Sequence, residues 1–247
     1  MEWSDDGIVL GVRKHGESSA IVSLMTKQHG RAAGLVRGAR GPKLRGVLQA
    51  GNAVHATWRA RLADHLGNYT LEADTAHAAA ILTDGNRLCA LTSACALVEF
   101  SLPERQPDPD VYALLEGLMQ ALSGDDWASD YVRWELGFLT ALGFGLDLAA
   151  CAATGVLEDL TYVSPKSGRA VSREAGLPYH DRMLALPGFL KGNGQRPAVE
   201  DIVAGLDLTG FFLNRYVLGP HDRTLPDSRE RLRNALKRTA SKACDSQ

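Results

Sequence analysis

Residues Arg31 to Arg61 read RAAGLVRGARGPKLRGVLQAGNAVHATWRAR. The segment opens on a short apolar run, Ala32 to Val36, and closes on an alternating one, Asn52 to Trp58, with Arg59 and Arg61 continuing the alternation. Both runs predict β-strands. Between them, Gly38, Gly41, Pro42 and Gly46 punctuate a stretch that suits neither a regular helix nor a central strand, and predicts a mobile loop. The segment also carries Arg31, Arg37, Arg40, Lys43, Arg45, Arg59 and Arg61 without a single carboxylate. Counting Lys27, eight cations and no acid fall in the 46 residues from Ser18 to Ala63, in a chain whose net charge is -2. Ordinary surfaces mix both signs, so this segregation points to a surface that follows a phosphate backbone. The plain alternative is a solvated basic face.

Outward from this segment, Ile8 to Val12 and Ala20 to Met25 are further β-branched-rich runs, separated by the polar turn Arg13 to Ser19, and Tyr69 to Ala73 adds a fifth. Five short strands in about 75 residues suit a small closed barrel such as the five-stranded oligonucleotide/oligosaccharide-binding (OB) barrel. An SH3-like barrel satisfies the strand count equally well.

After Asp74 the composition turns to alanine and leucine. A helical region from Thr75 breaks at Asp84-Gly85, and a nearly all-apolar helix, Leu88 to Leu102, ends at Pro103. Pro107-Asp108-Pro109-Asp110 caps the next, Val111 to Leu122. In a third helix, Tyr131 to Leu142, residues Tyr131, Trp134, Phe138 and Leu142 form one apolar stripe. Residues 143–195 show little periodicity, which marks a functional loop or a stapled excursion. Two short helices are predicted around Val199–Gly205 and Gly210–Leu218, and a last one after Pro226 stacks Arg229, Arg233 and Lys237 at i, i+4 and i+8. That second basic stripe is either a nucleic-acid contact or a set of cations suited to a helix C-terminus.

Charge is divided along the chain as well. Residues 1–80 hold ten Lys/Arg and seven Asp/Glu, the remainder seventeen and twenty-two, an asymmetry that implies two parts with different partners. The start, Met1 to Asp6, has neither the cationic nor the apolar segment of a signal peptide. The longest greasy stretch, Leu136 to Leu157, contains Asp147 and four glycines and falls short of a membrane span. The reading is a cytoplasmic protein without membrane attachment. Cys89, Cys95, Cys151 and Cys244 form no CxxC pair, which argues against a disulfide framework.

No Walker loop, dinucleotide fingerprint or nucleophile elbow occurs. His180-Asp181 and His221-Asp222 raise the alternative of a metal-dependent hydrolase, but such a site needs further ligands on facing elements, and the seven histidines are scattered. Cys151-Ala152-Ala153-Thr154-Gly155 and Ser172-Arg173-Glu174-Ala175 look like the remains of a metal site. One cysteine, with His180 as the sole nearby candidate, falls short of the four ligands that structural zinc requires.

Several segments together resemble the bacterial recombination mediator RecO family. They are Trp3 with Gly7-Ile8-Val9-Leu10, Gly16 to Val22, His29 to Arg40, Leu48-Gln49-Ala50-Gly51-Asn52, Arg133 to Phe144 leading to Cys151, and Ser164-Pro165-Lys166-Ser167-Gly168-Arg169-Ala170-Val171. They span nearly the whole chain in family order. The resemblance implies an α+β fold: an N-terminal five-stranded OB-type β-barrel over residues 1–78, then an α-helical domain over 79–247. Within the latter, 147–195 is an irregular loop replacing a four-cysteine zinc module. Cys151 alone matches a ligand position, with Thr154, Ser172 and Ala175 at the other three, so no zinc or other cofactor is expected.

The resemblance further implies a non-enzymatic DNA repair protein that binds single- and double-stranded DNA and anneals complementary strands. It would act with RecR to load RecA on DNA covered by single-strand-binding protein, whose acidic tail would meet the helical domain; Arg133 is the candidate there. Localisation would be cytoplasmic and nucleoid-associated. The DNA-binding candidates are Arg31, Arg37, Arg40, Lys43, Arg45, Arg59 and Arg61, with Trp58 or Tyr69 as possible base-stacking rings weighed against a place in the core. A different OB-type module, RNA- or ribosome-associated, is the alternative reading.

Overall fold

The computed structural model describes residues 1–62, 65–192 and 196–244. The chain divides into two compact units, Met1–Gly124 and Asp125–Gln247. The change from strands to helices follows Ala73, close to the expected 78/79 division, but the first compact unit continues through two long helices. Residues 193–195, the end of the expected 147–195 loop, lie outside the described residues.

In the first unit, β1 (Glu2–His15), β2 (Ser19–Thr26), β3 (Gly30–Val36), β4 (Ala53–Arg59) and β5 (Asn68–Ala73) close into a barrel in the order β1-β2-β3-β5-β4. This is an OB-type barrel, as the sequence predicts. Closure is antiparallel between β1 and β4, where Trp3 lies opposite Trp58. It is parallel between β3 and β5, where Leu35 pairs with Asn68 and the Leu35 N–H donates to the Gly67 carbonyl at 3.0 Å. Strand β1 serves two neighbours and is therefore longer than its apolar run implies. Its polar start is tolerated because buried Asp5 accepts hydrogen bonds from the Asp6 and Gln28 N–H groups at 2.9 and 2.7 Å, and its Oδ2 lies 3.0 Å from His29 Nδ1. Gly34 lies under the Tyr69 ring, where a Cβ would sit 2.4 Å from Cδ2; a bare backbone there lets the ring cover the barrel.

The connector from β3 to β4 departs from expectation in two ways. It contains one helical turn, α1 (Pro42–Arg45), because a proline at the first helical position has no N–H to lose. It is also anchored: Ala39 and Leu48 belong to the barrel core, with Leu44 and Val47 packed against it. Buried Asn52 ties the far end, donating to the Gly46 carbonyl at 2.8 Å and accepting from the Ala78 N–H at 3.1 Å. Arg61, expected on a strand, follows the end of β4.

After the single turn α2 (His77–Ala80), the helix α3 (Gly85–Ser101) begins at Asp84, whose carboxylate accepts from the Asn86 and Arg87 N–H groups. It packs on β1, with the Cys95 thiol 3.6 Å from the Val9 carbonyl oxygen. At Gly51 (φ +84°) a Cβ would meet Leu91 at 2.6 Å, so the barrel approaches α3 through bare backbone. Helix α4 (Pro109–Ala121), capped by Asp108, completes this unit.

The second unit starts with α5 (Trp127–Ala141). Residues 143–195, expected to be irregular, contain a three-stranded sheet of β6 (Leu160–Val163), β7 (Ala170–Ser172) and β8 (Leu184–Ala185), with the turn α6 (Arg173–Gly176). Strands of two to four residues are too short to leave a periodic signal. The two helices expected at 199–218 form one continuous element, α7 (Val199–Phe212), extended by a π-helical segment, Leu213–Leu218. Gly205 and Gly210 are contacts rather than breaks: a Cβ would meet Val132 at 2.8 Å and the Arg229 guanidinium at 2.7 Å.

Arg229 on α8 (Asp227–Cys244) is 1% exposed. Its Nε and Nη2 donate to the two carboxylate oxygens of fully buried Glu135 at 2.7 and 2.9 Å, and Nη2 also donates to the Leu206 carbonyl at 2.7 Å. Thr209 Oγ1 donates to the same carboxylate. Burial works against the Arg229 charge, yet the adjacent Glu135 carboxylate overcomes it and holds the guanidinium above its ordinary pKa. Arg233 pairs with Asp207. The basic stripe Arg229, Arg233 and Lys237 is thus dismantled, since two of its three cations are spent inside this unit.

Among the described residues, no helix is long and apolar enough to cross a membrane. Replacing Arg229 by leucine is expected to cost about 3–5 kcal/mol by leaving the Glu135 charge buried alone, and Glu135→Leu/Arg229→Leu to recover most of that loss. Urea unfolding of the wild type and the three variants checks the cycle.

Candidate nucleic-acid interface

The anchored connector 37–52 stands between two clefts of the first unit. One, of about 470 Å³, lies beside the β1–β2 hairpin and is lined by Lys14, Arg40, Arg45 and Leu48. The other, of about 600 Å³, lies beside β5 and is lined by Arg37, Lys43, Arg59 and Tyr69, with Leu44 and Leu71 among its apolar contributors. On α1, Lys43 and Arg45 are two residues apart, which on a helix turns them to opposite sides; one lines each cleft.

The seven predicted DNA-binding residues separate into groups. Arg37, Arg40, Lys43 and Arg45 are exposed on the connector and line the clefts. Arg59 lines the second cleft while pairing with Glu2 at 2.7 Å, an exposed contact with little hold on either partner. Arg61 is exposed beyond β4 and lines neither cleft. Arg31 is engaged elsewhere: Nε donates to the Leu102 carbonyl at 2.8 Å and Nη1 to Glu104 at 3.2 Å, fastening β3 to the segment after α3.

Sequence reading missed Lys14. The signal was present in its position: exposed at the end of β1, opposite Ala20 of β2, it projects beside the connector only once the barrel closes. Trp58 is a core residue, 3% exposed, its Nε1 donating to the Leu66 and Ala33 carbonyls. Tyr69 is also mostly buried, although part of it reaches the second cleft.

In the second unit, Arg133 donates to Ser129 Oγ and Asp130 Oδ1 at 3.1 and 2.9 Å. Its guanidinium sits 5.3 Å from the centroid of the Phe189 ring, an exposed cation over an apolar floor.

Cys151 occupies a different setting. Its buried sulfur accepts from the Ser172 N–H at 3.2 Å and lies 3.4 Å from Ser172 Oγ. Burial disfavours the thiolate more than any other single influence, but the hydroxyls of Ser172 and Thr154 and the N–H groups of Ser172 and Ala153 together outweigh it, pushing the thiol pKa down to about 6. One sulfur, two neutral hydroxyls and the methyl of Ala175 do not make a tetrahedral zinc set. No group of three or more His, Cys, Asp or Glu side chains that could hold a metal ion occurs among the described residues. His180 is turned to its own neighbours, with Nδ1 at 3.0 Å from the Leu177 carbonyl and Nε2 at 2.9 Å from Asp181.

Two family models match the chain: one described as Recombination protein O N terminal over residues 1–76, the other as Recombination protein O C terminal over residues 82–225. Relatives named DNA repair protein RecO are similar along nearly the full length. The protein of Rhodospirillum rubrum is 53% identical over 245 residues, covering 96% of this chain and 97% of its own. That of Rhodospirillum centenum is 51% identical, covering 94% and 93%. That of Bradyrhizobium sp. (strain ORS 278) is 49% identical, covering 98% of each.

Arg31→Ala is expected to lower the melting temperature of the protein while leaving the salt dependence of any nucleic-acid binding unchanged, as calorimetry and anisotropy would read. For Cys151, the folded-state pKa lies below the ordinary thiol value of 9.0. Its stabilisation is therefore fully present above about pH 9 and lost as pH falls through about 6. Thiolate ultraviolet absorption, taken as the difference between wild type and Cys151→Ser, should show a step near pH 6 that moves upward in Ser172→Ala.

Proposed function

This chain belongs to the recombination protein O family, and from that premise we propose that it is a non-enzymatic, DNA-binding recombination mediator. The observation that carries the reading is the pair of basic clefts flanking an anchored connector. Arg37, Arg40, Lys43 and Arg45, joined by Lys14 and Arg59, are the DNA-binding residues. They contact phosphates without reading sequence, and each neutralised phosphate releases counterions.

Annealing of complementary strands requires charge neutralisation and no acid, base or nucleophile. In this reading the protein binds single- and double-stranded DNA and acts with RecR to load RecA on DNA covered by single-strand-binding protein. The acidic tail of that protein docks in the second unit, where Arg133 above Phe189 offers a cation at the rim of an apolar surface. The chain works without zinc, because hydrogen bonds to Cys151 take over the role of cross-linking the Cys151 turn to β7. The proposed place of action is the cytoplasm, on the nucleoid.

The test is fluorescence anisotropy with single-stranded DNA, duplex DNA and RNA across a salt series. DNA binding is expected to weaken steeply with salt. In Arg37→Ala/Arg40→Ala/Lys43→Ala the slope of log K against log salt should flatten by about 2, at roughly 0.7 per lost phosphate contact on a single strand. Unchanged binding in the triple variant would remove the connector as the site. Binding of RNA alone would favour an RNA-associated OB module instead.

A further inference from the structure

We propose that the two clefts hold two separate single strands of DNA at the same time, with the connector as the ridge that keeps them apart. This rests on the DNA-binding reading above and goes beyond it, because a DNA-binding barrel needs only one path.

Three observations carry the inference. First, no residue lines both clefts, and the cations divide evenly: Lys14, Arg40 and Arg45 on one side, Arg37, Lys43 and Arg59 on the other. Second, the ridge is fixed. Ala39 and Leu48 are part of the barrel core, and Asn52 holds the Gly46 and Val47 carbonyls at 2.8 and 3.3 Å, so the connector cannot fold aside to merge the clefts into one groove. Third, each cleft combines cations with apolar side chains, Val12 and Leu48 in one and Leu35, Leu44 and Leu71 in the other. Unstacked bases can rest on such surfaces while phosphates meet the cations. A duplex hides its base faces and offers little to an apolar floor, so the chemistry selects single strands.

The arrangement also answers an electrostatic problem. Two single strands approaching each other carry rows of like charge, and bringing them together costs free energy that cations must offset. Three cations per strand, carried on one rigid ridge and its borders, hold both strands on a single barrel. Complementary bases then need to travel only from one side of the connector to the other.

The experiment uses the full chain and two non-complementary single-stranded oligonucleotides of about 12 nucleotides, within the usual site size of one OB barrel, one labelled with a donor and the other with an acceptor. Analytical ultracentrifugation counts strands per chain, and energy transfer reports that both are held together. The wild type is expected to bind two strands per chain and to give transfer. Lys14→Ala/Arg40→Ala/Arg45→Ala and Arg37→Ala/Lys43→Ala/Arg59→Ala, all exposed positions, should each bind one strand with affinity within about threefold of wild type, lose the transfer, and anneal complementary strands at least about tenfold more slowly.

One strand per wild-type chain overturns the proposal while leaving the DNA-binding reading intact. Loss of all strand binding in either variant overturns it too, since that is the behaviour of one continuous path. A wild type that binds no DNA at all overturns the functional reading on which it stands.

Discussion

Strand β5 stands between β3 and β4 in the barrel, so the chain cannot pass from one to the other by a hairpin. The sixteen residues from Arg37 to Asn52 must therefore cross beyond the end of β5, and everything of interest on the first unit follows from how they do so. Their apolar members, Ala39 and Leu48 with Leu44 and Val47 beside them, turn into the barrel core. Burying such side chains stabilises by about 1.5–3 kcal/mol each for the larger ones. The cations interleaved between them are left outside, on either side of the crossing. Barrel closure and the basic surface are two consequences of one topological requirement.

The second unit depends on a different kind of constraint. Glu135, Arg229 and Thr209 join α5, α7 and α8 through a fully buried network. Taking both charges out of water is costly, and the pair gives little net stability over well-packed apolar residues. What it supplies is geometry: a bidentate contact accepts only one relative placement of helix faces, and Gly210 is bare so that the guanidinium can lie against α7. The same network withdraws Arg229 from the surface, which is why a helix with cations at i and i+4 is not a nucleic-acid stripe.

Around Cys151, protein hydrogen bonds perform the cross-linking that a metal performs in other proteins. The sulfur accepts from the start of the β7–α6 turn, and the Cys151–Gly155 turn closes on itself through a 2.8 Å bond from the Gly155 N–H to the Cys151 carbonyl. Burial raises the cost of the thiolate, and donors from Ser172, Thr154 and Ala153 more than offset it. The positions where the family resemblance places ligands thus remain structurally coupled without ligand chemistry.

The sequence by itself determined the five strands, the barrel they build, the long helices with their Asp84 and Asp108 caps, and the acid-free basic segment. These are local properties: two-residue alternation, apolar periodicity, capping carboxylates and charge counts are written along the chain. It also carried enough of the family pattern to identify the kind of protein. What it could not determine was which cations are free, since Arg31 and Arg37 look alike in a string of letters. Only tertiary structure brings the Leu102 carbonyl and Glu104 to the first and leaves the second on a cleft. Glycines within α7 read as breaks because a missing side chain has the same spelling whether it ends a helix or admits Val132 and Arg229 against it. The strands β6 to β8 escaped because pairing partners, rather than their own few residues, make them strands. Charge was legible in the sequence; the partner of each charge was decided by contacts between residues far apart in the chain.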